Sequence, residues 1–232
     1  MEWVAEAAAR ARAVFERGGA TASEAEDAAR ALIPPTPEGE WQLALDGAEN
    51  FERRIGAWTL CAWLVESSGA VSQSSVVSPM TAERYTARRG GGAHLNGARI
   101  EPSTCATFHR SLVALEVTQQ DRAAADDEAA DAFMQTVSRL LATPPAYRTS
   151  GVLSWDLCLV AAGALDGCYV AGFHDPVPLT APVLILMEAG GRVAFRDGGP
   201  LVGANPSLFP ALARAAGLRV AADFGAGEAP PS

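Results

Sequence analysis

Two short segments of this sequence combine residue types that can move a proton or hold an anion. Asp46 precedes Gly47 at the start of a predicted helix, where the Gly47 N–H could meet an anion. Asp46 has two interpretations: an acid/base group or substrate anchor with a raised pKa, or a cap for the helix that begins near Gly47. His174 and Asp175 are adjacent and could transfer a proton, although neighbours along a strand point to opposite faces.

Several common catalytic chemistries are excluded by composition. All 18 basic residues of the 232-residue chain are arginine, so neither a Schiff-base lysine nor a P-loop lysine is available. No Ser/His/Asp triad, GxGxxG or CxxC pattern occurs, and Gly90-Gly91-Gly92 is interpreted as a hairpin kink rather than a phosphate cradle. The lysine-free, Ala- and Arg-rich composition is typical of a GC-rich bacterial genome.

Charge and hydropathy restrict the partners. A net charge of −9 without a basic run argues against nucleic acid. The acidic, amphipathic N-terminus is not a signal peptide, and no apolar run reaches the roughly 18 residues of a membrane helix. We therefore expect a cytoplasmic protein with no membrane partner. Its cysteines lack metal-ligand spacing and are predicted to be buried, reduced thiols: Cys61, Cys105, Cys158 and Cys168.

Hydrophobic periodicity predicts alternating helices and strands, which indicates a mixed α/β or α+β layered fold. Ser23 is the expected N-cap of the second helix, with Glu26 completing a capping box. Asn96-Gly97 is typical of a type I′ hairpin turn. Helices are predicted over 2–17, 22–32, 126–141, 154–164, 183–188 and 208–216. Strands are predicted within 41–77, as a hairpin over 85–100, and over 111–117, 167–172 and 193–195.

Four segments, in order, resemble the inositol monophosphatase family. They are Leu45–Phe51 (LDGAENF), Tyr85–Ser103 (YTARRGGGAHLNGARIEPS), the stretch from Ser150-Gly151 through LCLVAAGALDGCYVAGFH, and Glu188–Gly191 (EAGG), after which Gly198-Gly199-Pro200 and Ala204-Asn205 fit the end of the pattern. The resemblance covers roughly residues 40 to 216.

The resemblance implies an αβαβα sandwich, a homodimer, and two or three Mg²⁺ ions that activate water against a phosphate monoester. One domain over residues 1–222 is expected, shortened at its N-terminus, with a disordered tail over 223–232. The metal-gating hairpin of the family has no counterpart in residues 18–36.

Carried over residue by residue, the family's metal ligands are mostly missing. Asp46 is retained, but Leu43 and Pro178 stand where the family has aspartates, and Ala48 replaces a threonine that positions water. Val170 replaces a substrate-contacting glutamate. We therefore expect no Mg²⁺ cofactor, although Glu38, Glu40 or Asp175 could rebuild part of the site.

The remaining candidate site residues come from segments that border the family's pocket. Asp46, His174 and Asp175 are the catalytic candidates. Trp155 replaces a small residue and could form an aromatic wall. Packing or surface roles are the alternative for Glu49, Trp155, Asp156 and Tyr147. The substrate-binding candidates are Gly47, Glu49, Ser150, Trp155 and Asp156, with Tyr147 as a further candidate.

The sequence thus favours an inositol monophosphatase-like protein that has lost the phosphatase site. In that hypothesis the cleft binds a small organic molecule and supports a metal-independent acid/base or cyclisation step in bacterial biosynthesis. Two alternatives stay open: a non-catalytic binding or dimerisation partner, and a weak Mg²⁺-dependent phosphomonoesterase that uses Asp46 with Glu38 or Glu40 and Asp175.

Overall fold

The computed structural model describes residues 2–116, 134–138, 140, 146–170, 179–195 and 201–218. Within these residues two β-sheets alternate with helices, and the layered αβαβα sandwich is confirmed. No helix among them is long and apolar enough to cross a membrane. The predicted tail, most of the predicted 126–141 helix, and His174, Asp175 and Pro178 lie outside the described residues; 134–138 are helical.

The helices form as their apolar spacing requires, with one local correction. The second helix is capped by Thr21 and not by Ser23: the Thr21 hydroxyl accepts from the Glu24 N–H, and the Glu24 carboxylate accepts from the Thr21 N–H. The capping box therefore lies two residues earlier than predicted. The helices are α1 (Glu2–Arg17), α2 (Ala22–Arg30), α3 (Ala48–Glu52), α4 (Leu153–Ala161), α5 (Thr180–Glu188) and α6 (Phe209–Ala215), with a 3₁₀ turn at Phe108–Arg110.

The first sheet is an antiparallel meander of six strands in sequence order. Asn96 and Gly97 both have positive φ (50° and 86°), as the predicted type I′ turn requires. The free edge of the first strand is covered by α2, because Glu26 accepts from the Leu45 N–H and Arg30 donates to the Leu43 carbonyl. The strands are β1 (Gly39–Asp46), β2 (Thr59–Glu66), β3 (Val71–Ser78), β4 (Glu83–Arg88), β5 (Gly92–Leu95) and β6 (Ala98–Arg99).

The second sheet has the order β10-β11-β9-β7-β8, with parallel pairing of β7 to both β8 and β9. β8 and β11 were not predicted from the sequence. Its strands are β7 (Leu112–Glu116), β8 (Ala146–Arg148), β9 (Gly167–Val170), β10 (Arg192–Phe195) and β11 (Leu201–Ala204).

Three apolar clusters hold the layers together. Helices α1 and α2 pack on one face of the first sheet, α4 and α5 fill the space between the sheets, and α6 packs on the outer face of the second sheet. Burial of this apolar surface is the main stabilising contribution to the fold. The ends of β1 and β7 meet the start of α4, and the candidate site lies there.

Candidate functional site

The candidate site is centred on the turn that leads from β8 into α4. Gly151 has a φ of 71° in this turn, a conformation that glycine adopts without strain. Three acidic side chains converge on residues 150–154 from different elements: Asp46 at the end of β1, Glu116 at the end of β7, and Asp156 in the first turn of α4. The sequence had singled out only two of these three.

Asp46 caps helix α4 from a neighbouring layer. Its Oδ2 accepts a hydrogen bond of 2.7 Å from the Ser154 N–H, an amide that has no partner within the helix. Burial raises the pKa of Asp46, while the Ser154 hydroxyl and amide and the Gly47 N–H oppose the rise. The predicted alternative, a cap on the helix after Gly47, is wrong, since Gly47 is itself the N-cap of α3 and no side chain caps that helix.

The Glu116 side chain binds backbone amides of the turn. Its Oε1 accepts from the Ser150 N–H at 2.6 Å, and both carboxylate oxygens lie 3.2 Å from the Gly151 nitrogen. The side chain is 5% exposed. Sequence reasoning missed this residue, although an acid that ends the apolar run Leu112–Glu116 must find donors where it is buried.

Asp156 completes the cluster as a buried acid. The Ser150 hydroxyl donates to its Oδ2 at 2.8 Å, and no described donor reaches its Oδ1. Burial and the adjacent Glu116 carboxyl raise the pKa of Asp156 to about 8, while the Ser150 hydroxyl and the Arg148 charge oppose the rise. Asp156 is therefore largely protonated at neutral pH.

Polar contacts from α3 and from the first sheet fix the turn further. The Asn50 side chain donates to the Ser150 carbonyl at 3.1 Å, and the Ser154 and Thr59 hydroxyls lie 2.6 Å apart. Cys61 lies 3.8 Å from the Thr59 hydroxyl, and burial raises the pKa of this thiol to about 12. The thiol stays protonated and is a poor nucleophile.

The other predicted site residues lie around this cluster rather than within it. The Trp155 indole donates to Glu83 on β4 at 2.9 Å, with the Arg148 guanidinium 5.8 Å from its ring centroid. Glu49 and Tyr147 are exposed. The structure thus brings Asp46, Ser150 and Asp156 together, engages Trp155 elsewhere, and leaves His174 and Asp175 as predictions.

The described residues do not fit a divalent metal site. No group of three or more His, Cys, Asp or Glu side chains among them could hold a metal ion. Leu43 is buried against α1 and α2, and Ala48 has no oxygen ligand. Glu40 precedes Asp46 by six residues on the same strand, which separates the two by about 20 Å. Neither Glu40 nor Glu38 before it can therefore join Asp46 in one site.

The profile of the inositol monophosphatase family matches residues 45–224. The chain belongs to the inositol monophosphatase family. Curated bacterial relatives include the Nus factor SuhB of Escherichia coli K12, 30% identical over 181 residues, and the putative Nus factor SuhB of Neisseria meningitidis MC58, 31% identical over 179 residues. The two alignments cover 75% and 74% of this chain, and the chain spans only 65% and 66% of those relatives.

Solved structures of this family share the fold. Extragenic suppressor protein suhB of Bartonella henselae superposes with a TM-score of 0.76 at 21% identity, over 93% of this chain and 96% of that chain. Inositol monophosphatase of Anabaena superposes with a TM-score of 0.75 at 24% identity, over 92% and 91%. At these identities the likeness concerns the fold.

Proposed function

We propose that this family member binds a small organic molecule without a divalent metal and does not hydrolyse phosphate monoesters. The main support for this proposal is that the acidic side chains at the candidate site accept hydrogen bonds from groups of the protein itself. A magnesium site requires several ionised oxygen ligands around one point. Here Asp46 and Glu116 hold backbone amides, and Asp156 keeps its proton at neutral pH.

The hydrogen bonding explains why such carboxylates need no cation. Amides at a helix start and in a tight turn are positively polarised, and a carboxylate that accepts from them is stabilised where a metal ion is absent. Binding Mg²⁺ through Asp46 or Glu116 would break these bonds and uncap α4. Metal binding therefore competes with the fold at this point.

The groups left for a ligand lie at the rim of the cluster. Ser150 is half-buried and Glu49 is exposed, so both can reach a molecule from solvent. The Ser150 hydroxyl is already oriented by its hydrogen bond to Asp156, and the protonated Asp156 could exchange a proton with this hydroxyl. His174 and Asp175, which lie outside the described residues, are the groups we propose for an acid/base or cyclisation step.

Calorimetric titration with Mg²⁺ and Mn²⁺, with and without inorganic phosphate, tests the metal-free part of the proposal. We expect no binding below the millimolar range and no hydrolysis of inositol 1-phosphate or p-nitrophenyl phosphate. Micromolar metal binding accompanied by turnover would overturn the proposal and establish a phosphatase.

Ligand binding is tested by thermal-shift titration with myo-inositol, other polyols and bacterial small-molecule extracts. A stabilising compound should lose its effect in Ser150→Ala and His174→Ala variants. Ser67→Ala, in an exposed β2–β3 turn, is the matched control. If no compound stabilises the parent, or if the control loses the effect equally, the binding function is refuted.

A second candidate function is assembly with a protein partner. The observation that favours it is that the curated relatives are named as Nus factors rather than as phosphatases. A stable complex recovered with another purified Nus factor would support it, and the absence of a complex would refute it. The homodimer, the cytoplasmic location and the absence of nucleic-acid and membrane partners stay predictions.

A further inference from the structure

No described helix packs on one side of the outer half of the first sheet. Helices α1 and α2 bury the β1, β2 and β3 residues on their side of the sheet, but β4, β5 and β6 contribute no residue to that core. The opposite faces of β4 and β5 are packed against α4 and α5. We call the uncovered side of β4, β5 and β6 the open sheet face.

A polar row crosses this open sheet face. Thr86, His94 and Arg99 stand directly opposite one another on three adjacent strands; Arg99 is exposed, and Thr86 and His94 are half-buried. Strands lie about 4.8 Å apart, so the row spans about 10 Å. Residues opposite one another across antiparallel strands lie on the same side of the sheet.

Three arginines make this surface cationic. The Arg99 guanidinium lies over Gly92, where a Cβ would be only 3.1 Å from an Arg99 nitrogen. Arg88 stands directly opposite Gly92, which brings the two side chains to the same region, and both are exposed. Arg84 stands opposite Val77, on the same side of the sheet.

These arginines lack acidic partners among the described residues. The described ion pairs are Arg12–Glu16 and Arg30–Glu26, within α1 and α2. Glu38 accepts from Gln73, which stands opposite Arg88, yet forms no ion pair with that arginine. Among the described residues Arg84, Arg88 and Arg99 thus form no ion pair, in a chain whose net charge is −9.

We propose that the open sheet face binds an acidic segment of a partner protein, rich in Asp and Glu. Guanidinium groups pair with carboxylates through two parallel hydrogen bonds, and arginine is enriched at protein interfaces. A flat strand surface suits an extended peptide better than a small molecule, which needs a concave pocket. The net charge of −9 repels any polyanion at long range, so the binding depends on short-range pairs with the arginines of this face.

Fluorescence anisotropy with a labelled peptide of alternating Asp and Glu tests the proposal on the full chain. The Arg88→Glu/Arg99→Glu variant should bind this peptide at least about tenfold more weakly than the parent. Arg10→Glu/Arg192→Glu is the matched control, since it changes the net charge equally at exposed arginines elsewhere. A peptide of alternating Asn and Gln should not bind, and added salt should weaken the acidic complex.

Each other outcome overturns the proposal. If the parent does not bind the acidic peptide, or the two variants lose affinity equally, the open sheet face is not its site. Preferential binding of a single-stranded RNA through the same arginines would assign the face to nucleic acid. A dimer that only the Arg88→Glu/Arg99→Glu variant dissociates, with no peptide binding by the parent, would make the face a self-interface. None of these experiments depends on the metal-free site.

Discussion

Replacing Asp156 with asparagine tests whether the proton retained on buried Asp156 stabilises the turn at the candidate site. The substitution keeps the shape of the side chain and removes its charge at every pH. Its amide can donate to Glu116 while its carbonyl oxygen accepts from the Ser150 hydroxyl, as Asp156 does. We therefore expect the folded structure to change little.

The magnitude follows from the pKa of Asp156, about 8 in the folded protein, against an ordinary value of about 3.9. Because the pKa of Asp156 is higher in the folded protein than in the unfolded chain, the stabilisation that Asp156 contributes is complete below its pKa in the unfolded chain. This stabilisation is lost as the pH rises through its pKa in the folded protein. Between those values the unfolded chain has released the proton and the folded chain has not. Each pH unit in this window lowers the free energy of unfolding by about 1.4 kcal/mol. Three units, from about pH 5 to about pH 8, give a loss of up to about 4 kcal/mol.

Urea unfolding followed by tryptophan fluorescence, in buffers from about pH 5 to about pH 9, measures this loss. The parent should lose stability with rising pH more steeply than the Asp156→Asn variant, so that the variant becomes the more stable protein near pH 8. Asp27→Asn, at an exposed position on α2, is the matched control and should follow the parent. Parallel pH profiles for parent and Asp156→Asn would show that Asp156 does not retain its proton in the folded protein.

Further substitutions examine the other contacts. Glu116→Gln should destabilise the protein by about 1–3 kcal/mol and accelerate hydrogen exchange of the Ser150 and Gly151 amides; unchanged exchange would show that Glu116 does not hold the turn. Asp46→Ala should cost about 0.5–2 kcal/mol of stability in urea unfolding through the lost cap on α4, and an unchanged midpoint would contradict the capping role. The Glu188 carboxylate accepts from the Gly90 and Gly92 amides at 2.8 and 3.0 Å. Glu188→Ala should therefore accelerate exchange of those two amides and lower stability by about 1–3 kcal/mol, whereas full protection in the variant would exclude this anchor.

The motif that begins at Glu188 both ends helix α5 and contacts the glycine-rich hairpin. The sequence EAGG predicts a helix end, and Gly190 indeed has a φ of 96° after α5. That the glutamate of the motif binds the glycine-rich hairpin turn was not predicted. The hairpin lies 96 and 98 residues away along the chain, and a backbone amide leaves no mark in the residue pattern.

From the sequence alone, the resemblance of four segments indicated the family and its layered fold, and local periodicity and turn chemistry predicted many of the elements. The hairpin at Asn96-Gly97 needs only residues that adopt positive φ, and α1 needs only its repeating apolar positions. The local sequence pattern did not decide which residue caps a helix where two neighbouring residues are both suitable N-caps. Thr21 and Ser23 can each cap a helix, and the two glycines with positive φ before Thr21 help to set where α2 begins.

The tertiary structure alone decided what the acidic residues do. Asp46 meets Ser154 across 108 residues, and Glu116 meets Ser150 across 34. Glu40, a candidate ligand from sequence, lies on the strand of Asp46 but at its opposite end. A carboxylate has the same residue type whether it binds a metal, a substrate or a backbone amide. Its role depends on which donors the packed layers bring within about 3 Å, and only folding the distant segments together determines that.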